Sequence, residues 1–427
     1  MTKPDRKLRV WVSEGLTCMR REMDARRLSS YFEANDCEIV SKPSEADLNV
    51  LVTCAFTEAY ENASFQQLED LKKTGAELFV TGCLPGVAPK RLADAFEGAS
   101  LKAKDLEQVD SLFPDHQVSI RSISEQPHAL TVTMKGPAAF RNHDPQDHIT
   151  VSGADAHTLM FYKREAFARA RSPGLKTATL RTCNGCLLHC TFCHIRNSTG
   201  DLVSKSLEQC RAEYETYLDQ GYRHFVFTGD ETGCYGLDIG SSLPELMDNL
   251  AALEGDLDIK WSIEALEPQY LVRYLPELRD WARRGKFLQI EAPIQSASNR
   301  VLKWMGRPYE IQPVIEALED ICDAAPDLEF WTVVIIGFPS ESDDEFASTL
   351  RMLNHDKIAG GYAIAYSGSH DGKASKLKGT LPEGIVRARM AATVEALQGS
   401  SLMRCMENSA LNVLGKRYMN GRDSILG

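Results

Sequence analysis

The sequence predicts an α/β protein: an N-terminal parallel-sheet domain followed by a partial (β/α)6 barrel. Two observations lead there. Apolar, β-branched runs alternate with amphipathic stretches along most of the 427 residues, the pattern of strands buried in a mostly parallel sheet beneath covering helices. The alternation comes in two blocks, of three repeats and of six, separated by a stretch in which it fails. A chain of this length exceeds the usual single core, so the two blocks are expected to be separate domains.

In the first block LRVWV, LNVLVT and ELFVT read as strands, with helices around Met23 to Phe32 and around Ala63 to Lys73. Cys18, Cys54 and Cys83 follow these strands in the contexts GLTCM, VTCAF and TGCLP. Parallel strands joined by right-handed crossovers point the same way, so residues just past their ends converge on one sheet edge. Three thiols distant in sequence are therefore expected to be neighbours, against the plainer reading of three buried cysteines that end strands. Residues 1–97 are taken as this domain and 98–175 as an extension and linker, with its histidines in solvated loops. In the second block TATLRT, HFVFTG, IKWSIEA, FLQIEAPI, FWTVVIIGF and YAIAYS are six strands, separated by helices such as SLEQCRAEYETYLDQ, LPELMDNLAAL and DDEFASTLRML. Residues 176–385 form the barrel, with chemistry expected at the strand C-termini, and 386–427 a helical tail.

Composition narrows the function. The net charge of −12 disfavours a protein that grips nucleic acid mainly through phosphates. No apolar run approaches the roughly 18 residues of a membrane span, and MTKPDRKLRVWV lacks the pattern of a signal peptide. The expected location is cytoplasmic, with no membrane partner. In that reducing compartment the 12 cysteines read as ligands, catalytic groups or buried fillers. Cys37, Cys210, Cys322 and Cys405 read as fillers.

CLLHCTFC, residues 186–193, sits directly after the first barrel strand. Three readings fit it. Cys186, Cys190 and Cys193 with Cys183 or His189 could make a structural zinc site, although four ligands within so short a run argue against it. All four cysteines could hold an electron-transfer cluster. Alternatively, Cys186, Cys190 and Cys193 hold three irons of a 4Fe-4S cluster and leave the fourth open.

C-x3-C-x2-C opening a six-repeat barrel, with Phe192 before its last cysteine, is similar to the radical S-adenosylmethionine (SAM) superfamily. With TGDETGCYGLD, IEALEP, APIQSASNRVLKWMGRPY, IIGFPSES and AYSGSHDGK in order, the chain resembles radical SAM methylthiotransferases over most of residues 8 to 400. The resemblance implies a radical SAM barrel, SAM and two 4Fe-4S clusters. SAM would bind the open iron of the Cys186, Cys190, Cys193 cluster, and its cleavage would yield a 5′-deoxyadenosyl radical. Phe192 would pack near the adenine, and Asp230 or Glu231, after Thr228 and Gly229, would hold the SAM ammonium. Glu264 would suit the ribose, and Gln295 and Ser296 the polar ends of SAM. Cys18, Cys54 and Cys83 would hold the second cluster, which carries the sulfur to be transferred. Cys234 reads as a packed thiol.

Two departures bear on substrate. Glu291 stands where the family usually has histidine, with Ala297 in place of glycine, and YSGSHDGK lacks the usual arginine pattern. Glu291 is expected to be a buried carboxylate at the barrel mouth. The chain stops at Gly427, where the family's small β-barrel substrate-binding domain would barely have begun. The expectation is C–S bond formation on a small molecule or peptide, with RNA less favoured. Methylthiolation of tRNA or a ribosomal protein is one alternative, and a second cluster serving only electron transfer is another. A flavodoxin- or ferredoxin-type electron donor and a sulfur donor complete the expected partners.

Overall fold

The computed structural model describes residues 6–13, 19–125, 158–163, 175–368, 373–397 and 400–404. Cys18, Cys405, HDPQDHIT and part of YSGSHDGK lie outside them. Two compact units result: the described part of the first comprises residues up to 125 together with 194–200, and that of the second comprises 158–193 and 201–404.

The first unit is built on β1 (Arg9–Val12), β2 (Glu38–Ile39), β3 (Leu48–Thr53), β4 (Glu77–Gly82) and β5 (Ala99–Ser100), all parallel in the order β2-β1-β3-β4-β5. Alternate strand residues face opposite sides. Val10, Val50 and Val52 pack with Leu28, Tyr31 and Phe32 of the helix Met19–Ala34, and Trp11, Leu51 and Val80 with Phe65, Leu68 and Leu71 of the helix Glu58–Lys72. Each fully buried Leu, Val or Phe contributes about 1.5–3 kcal/mol.

This unit extends past residue 97. Leu106, Val109 and Ile120 enter the same core as Tyr31 and Phe32. Against expectation, His116 is not a solvated loop residue: it stacks on Phe113 at 5.2 Å between ring centroids, beside Tyr31. Leu106, Val109 and Ile120 sit on 3-10 turns and a single helical turn, so their burial follows no helical or strand period.

The second unit contains the six expected strands: β7 (Thr177–Arg181), β10 (His224–Thr228), β11 (Lys260–Ile263), β12 (Phe287–Glu291), β13 (Glu329–Ile336) and β14 (Ile358–Ala365). They run parallel, in chain order across the sheet. Two further strands were not expected. β6 (Thr158–Lys163), from the segment read as linker, pairs antiparallel with β14, and β15 (Ser400–Arg404), from the tail read as helical, pairs antiparallel with β6. The helix Glu383–Ala396 fills the first part of that tail. The two added strands cover the β14 edge, which would otherwise present unpaired backbone groups. No helix among the described residues is long and apolar enough to cross a membrane.

Candidate active site

The loop carrying Cys186, Cys190 and Cys193 leaves β7 through β8 (Cys183–Asn184), a short strand paired antiparallel with β9 (Val203–Ser204). Its entrance is pinned by Asp230, whose Oδ2 accepts a 2.7 Å hydrogen bond from the Gly185 amide. Its far end lies on the C-terminus of the helix Asn299–Met305. The Thr191 amide donates to the Met305 carbonyl at 2.9 Å and Thr191 Oγ1 to the Trp304 carbonyl at 2.8 Å. The Ala374 amide donates to the Thr191 carbonyl from the other side. Gly306 ends that helix at φ +74°, and a Cβ there would stand 3.2 Å from the His189 carbonyl and 3.6 Å from Cys190 Cα. Glycine serves both the left-handed cap and the close approach of the loop.

Cys186 and Cys190 are half-buried and Cys193 is exposed. Burial pushes the Cys186 and Cys190 thiols up, so they are held as thiols until a metal displaces the proton. The Leu188 amide points at Cys186 Sγ at 3.3 Å, a donor suited to a ligating sulfur. Cys183 does not join the triplet: its buried thiol faces the Glu231 carbonyl at 3.3 Å, and the packed Cys234 thiol reaches the same oxygen at 3.0 Å. Cys210 and Cys322 are buried as expected, whereas Cys37 is half-buried with its sulfur 3.9 Å from His116 Nε2.

Beside the loop lies a buried ion pair that sequence reasoning missed. Arg307 Nη1 is 3.2 Å from Glu267 Oε1, with side chains 6% and 1% exposed. The guanidinium sits 5.4 Å from the Phe192 ring centroid, and its charge pulls the Cys190 thiol down against the larger effect of burial. Phe192 itself packs on Val301, Leu302 and Met305. IEALEP and MGRPY contain the pair, but nothing in their spacing ties Glu267 to Arg307, 40 residues apart.

The strand ends supply polar groups. Thr228, last residue of β10, is fully buried, and its Oγ1 has no hydrogen-bond partner among the described residues. Gly229 follows, where a Cβ would meet Cys183 Sγ at 2.7 Å. Glu231 is buried. Its Oε1 accepts from the Gly233 amide at 2.8 Å and the Glu267 amide at 3.1 Å, while Oε2 is buried without a hydrogen-bond partner among the described residues. After β11, Glu264 is half-buried, and Ala265 takes φ +53°. After β12, Gln295 takes φ +72° with its Oε1 buried and unpartnered, and Ser296 is fully buried, its Oγ accepting from the Ser298 amide. Left-handed backbone at two non-glycine strand ends costs energy and concentrates at functional sites. Glu291, the last residue of β12, is half-buried.

Burial pushes the Glu231 carboxyl up to about 7 from the ordinary 4.5. The folded chain therefore holds this proton more tightly than the unfolded one. The contribution is full below about pH 4.5, is lost as pH rises toward 7, and is flat above. Between pH 5 and pH 8, wild type should lose roughly 2–3 kcal/mol relative to Glu231→Gln, read from denaturant unfolding of metal-free protein. An unchanged difference would mean that the carboxyl ionises as it does in water.

In the first unit, Cys54 and Cys83 directly follow β3 and β4, whose register pairs Thr53 with Gly82. Both are buried, and the Cys83 amide donates to the Thr53 carbonyl at 3.1 Å. Cys54 is fixed by Ser64, whose Oγ accepts from its amide and donates to its carbonyl. The turn after Cys83 packs on residues 196–199. Ser198 Oγ donates to the Gly82 carbonyl at 2.7 Å, Ile195 joins the Cys83 and Leu84 cluster, and a Cβ on Gly86 would be 2.5 Å from Ser198 Cα.

Residues 180–353 match the Radical SAM superfamily, and residues 11–102 match Uncharacterized protein family UPF0004. The probable threonylcarbamoyladenosine tRNA methylthiotransferase of Pyrococcus horikoshii is 27% identical over 384 residues, 88% of this chain and 81% of its own. The ribosomal protein uS12 methylthiotransferase RimO of Burkholderia ambifaria is 25% identical over 404 residues, 91% of this chain and 82% of its own. Among solved structures, the radical SAM methyltransferase TsrM from Kitasatospora setae aligns with a TM-score of 0.52 at 12% identity, covering 82% of this chain and 73% of TsrM. The cobalamin-dependent SAM radical enzyme OxsB gives 0.52 at 13%, covering 93% and 57%. At such identities the structures speak for the fold alone.

Proposed function

Because the chain belongs to the radical SAM methylthiotransferase family, we propose that it attaches a methylthio group to a macromolecule of the translation apparatus, a tRNA nucleoside ahead of a ribosomal protein. This replaces the small-molecule or peptide substrate expected from the sequence departures and the acidic balance. Relatives matched over 88% and 91% of the chain are named for tRNA and for ribosomal protein uS12, so net charge is a poor guide to substrate here. The observation that carries a methylthiotransferase, as distinct from any other radical SAM enzyme, is Cys54 beside Cys83 at the ends of adjacent parallel strands.

The family implies SAM and a 4Fe-4S cluster, and the residues fit both: three thiols on one clamped loop, and acceptors on Glu231 and Gln295 that are buried without partners. When bound there, SAM and the cluster supply the radical that takes hydrogen from an unactivated C–H bond. Glu231 Oε2 suits the SAM ammonium, since a cation would recover the charge-assisted hydrogen bond this oxygen lacks. Asp230 acts as a positioning residue through Gly185. Glu264 suits the ribose, Gln295 and Ser296 the polar ends of SAM, and Phe192 the adenine. Glu291 offers an acceptor to substrate. Cys18, Cys54 and Cys83 would hold the second cluster, soft ligands suited to a sulfur-bearing iron site. An electron donor and a sulfur donor are required with them.

Anaerobic reconstitution tests the assignment. Wild type should bind about eight irons, and Cys186→Ala/Cys190→Ala/Cys193→Ala about four, without 5′-deoxyadenosine formation. Cys54→Ala/Cys83→Ala should also bind about four but still form 5′-deoxyadenosine, and should lose the gain of one SCH2 unit on digested tRNA nucleosides. Full iron in the latter variant would sink the second cluster.

A further inference from the structure

The clamp on the cluster loop has an outer side. Trp304, whose carbonyl holds Thr191 Oγ1, is 39% exposed. Lys303 precedes it and is exposed. On the other side of Thr191, Ala374 is flanked by the exposed Lys373 and followed by the exposed Lys376. Ala374 and Leu377 pack into one cluster with Val301, Leu302, Met305 and Phe192, so the two lysine-bearing segments are joined beneath this surface. None of the three lysines has an ion pair among the described residues. On the helix Asn299–Met305 itself, Arg300 pairs with Glu345. A chain of net charge −12 thus carries, on the segments that clamp Thr191, unneutralised positive charge around an exposed indole.

An exposed aromatic rimmed by like charges is the anatomy of a transient protein interface. We propose that Trp304, Lys303, Lys373 and Lys376 form the docking face for a small acidic one-electron carrier protein, a flavodoxin-type flavoprotein. The inference rests on the radical SAM reading, which requires one electron at this loop per cleavage. The reduced carrier loses that electron and the cluster on Cys186, Cys190 and Cys193 gains it; no proton or group moves between the proteins. Trp304 is one hydrogen bond from Thr191, the residue that follows Cys190. RNA is the less fitting occupant, because the groups suited to SAM and substrate are on the residues that follow β10, β11 and β12 and not on these two segments.

The probe is flavodoxin hydroquinone with the reconstituted full-length protein. Lys303→Glu/Lys373→Glu/Lys376→Glu should weaken flavodoxin binding at least roughly tenfold at about 50 mM salt, and the difference should shrink at about 300 mM. Flavodoxin-driven 5′-deoxyadenosine formation should fall in parallel, with dithionite-driven formation within about twofold of wild type. Trp304→Ala should weaken binding with little change in its salt dependence. Unchanged flavodoxin affinity would overturn the proposal, as would weakened tRNA binding with flavodoxin affinity intact. If wild type formed no 5′-deoxyadenosine even with dithionite, the enzymatic reading would fail, while the affinity measurement would still report on the face itself.

Discussion

Arg307→Met is expected to destabilise the protein by about 3–5 kcal/mol, the usual consequence of removing one partner from a buried ion pair. Burial pushes the Glu267 carboxyl up, and Arg307 is the first group that pulls it back down. Without the guanidinium, Glu267 must either ionise unpaired or take up a proton, and both states cost energy. Arg307→Met/Glu267→Gln should recover most of the loss, because the remaining polar group is neutral and the Gln269 amide can still donate to it. Urea unfolding of the four proteins of the cycle measures this, and additive losses would mean that the pair does not act as a unit. A second readout separates position from charge. Arg307 reaches Cys190 electrostatically, so the double variant, with its fold restored, should hold a cluster of lower reduction potential by EPR-monitored titration. Arg307→Lys should lie between.

Gly82→Ala is expected to disrupt the ends of β3 and β4, and with them the iron binding proposed for Cys54 and Cys83. Gly82 has φ +96°, and a Cβ would fall 2.4 Å from the Thr53 carbonyl oxygen and 2.7 Å from the Thr53 nitrogen. Both obstacles are backbone, and neither can turn aside. Relief requires opening β3 from β4 where Cys54 and Cys83 begin. Gly75→Ala is the control: it shares the left-handed backbone, at φ +77°, with nothing within 4 Å. The control should lose about 1 kcal/mol from strain alone. Gly82→Ala should lose clearly more and should bind about four irons in place of eight. Equal stability of the two variants and full iron in both would show that the strand ends yield more easily than their geometry implies.

The main strands were legible because their signal is local. LNVLVT is buried along its whole length, and a continuous apolar run between turns is what such a strand must look like. CLLHCTFC was legible because its three cysteines share one loop. What escaped depends on distant partners. TLMFYK became a strand by pairing with β14, 200 residues further on, and SSLMR by pairing with TLMFYK. Glu267 and Arg307 are ordinary charged residues until folding buries them together. The orphaned oxygens of Glu231 and Gln295 are deficits, which a residue list cannot display.

The allegiance of residues 194–200 to the first unit bears on how the protein can be divided. Its N-terminal sheet is continuous in sequence, yet the seat beneath Cys83 is borrowed from a stretch that begins one residue after Cys193. A gene fragment ending near residue 126 would encode the strands and Cys18, Cys54 and Cys83 but leave the Gly82 carbonyl without its donor and the Leu84 cluster without Ile195. The two halves could not be shuffled as cassettes. A recombination event that moved the N-terminal sheet would have to carry residues 194–200 with it, so the two stretches inherit as one piece.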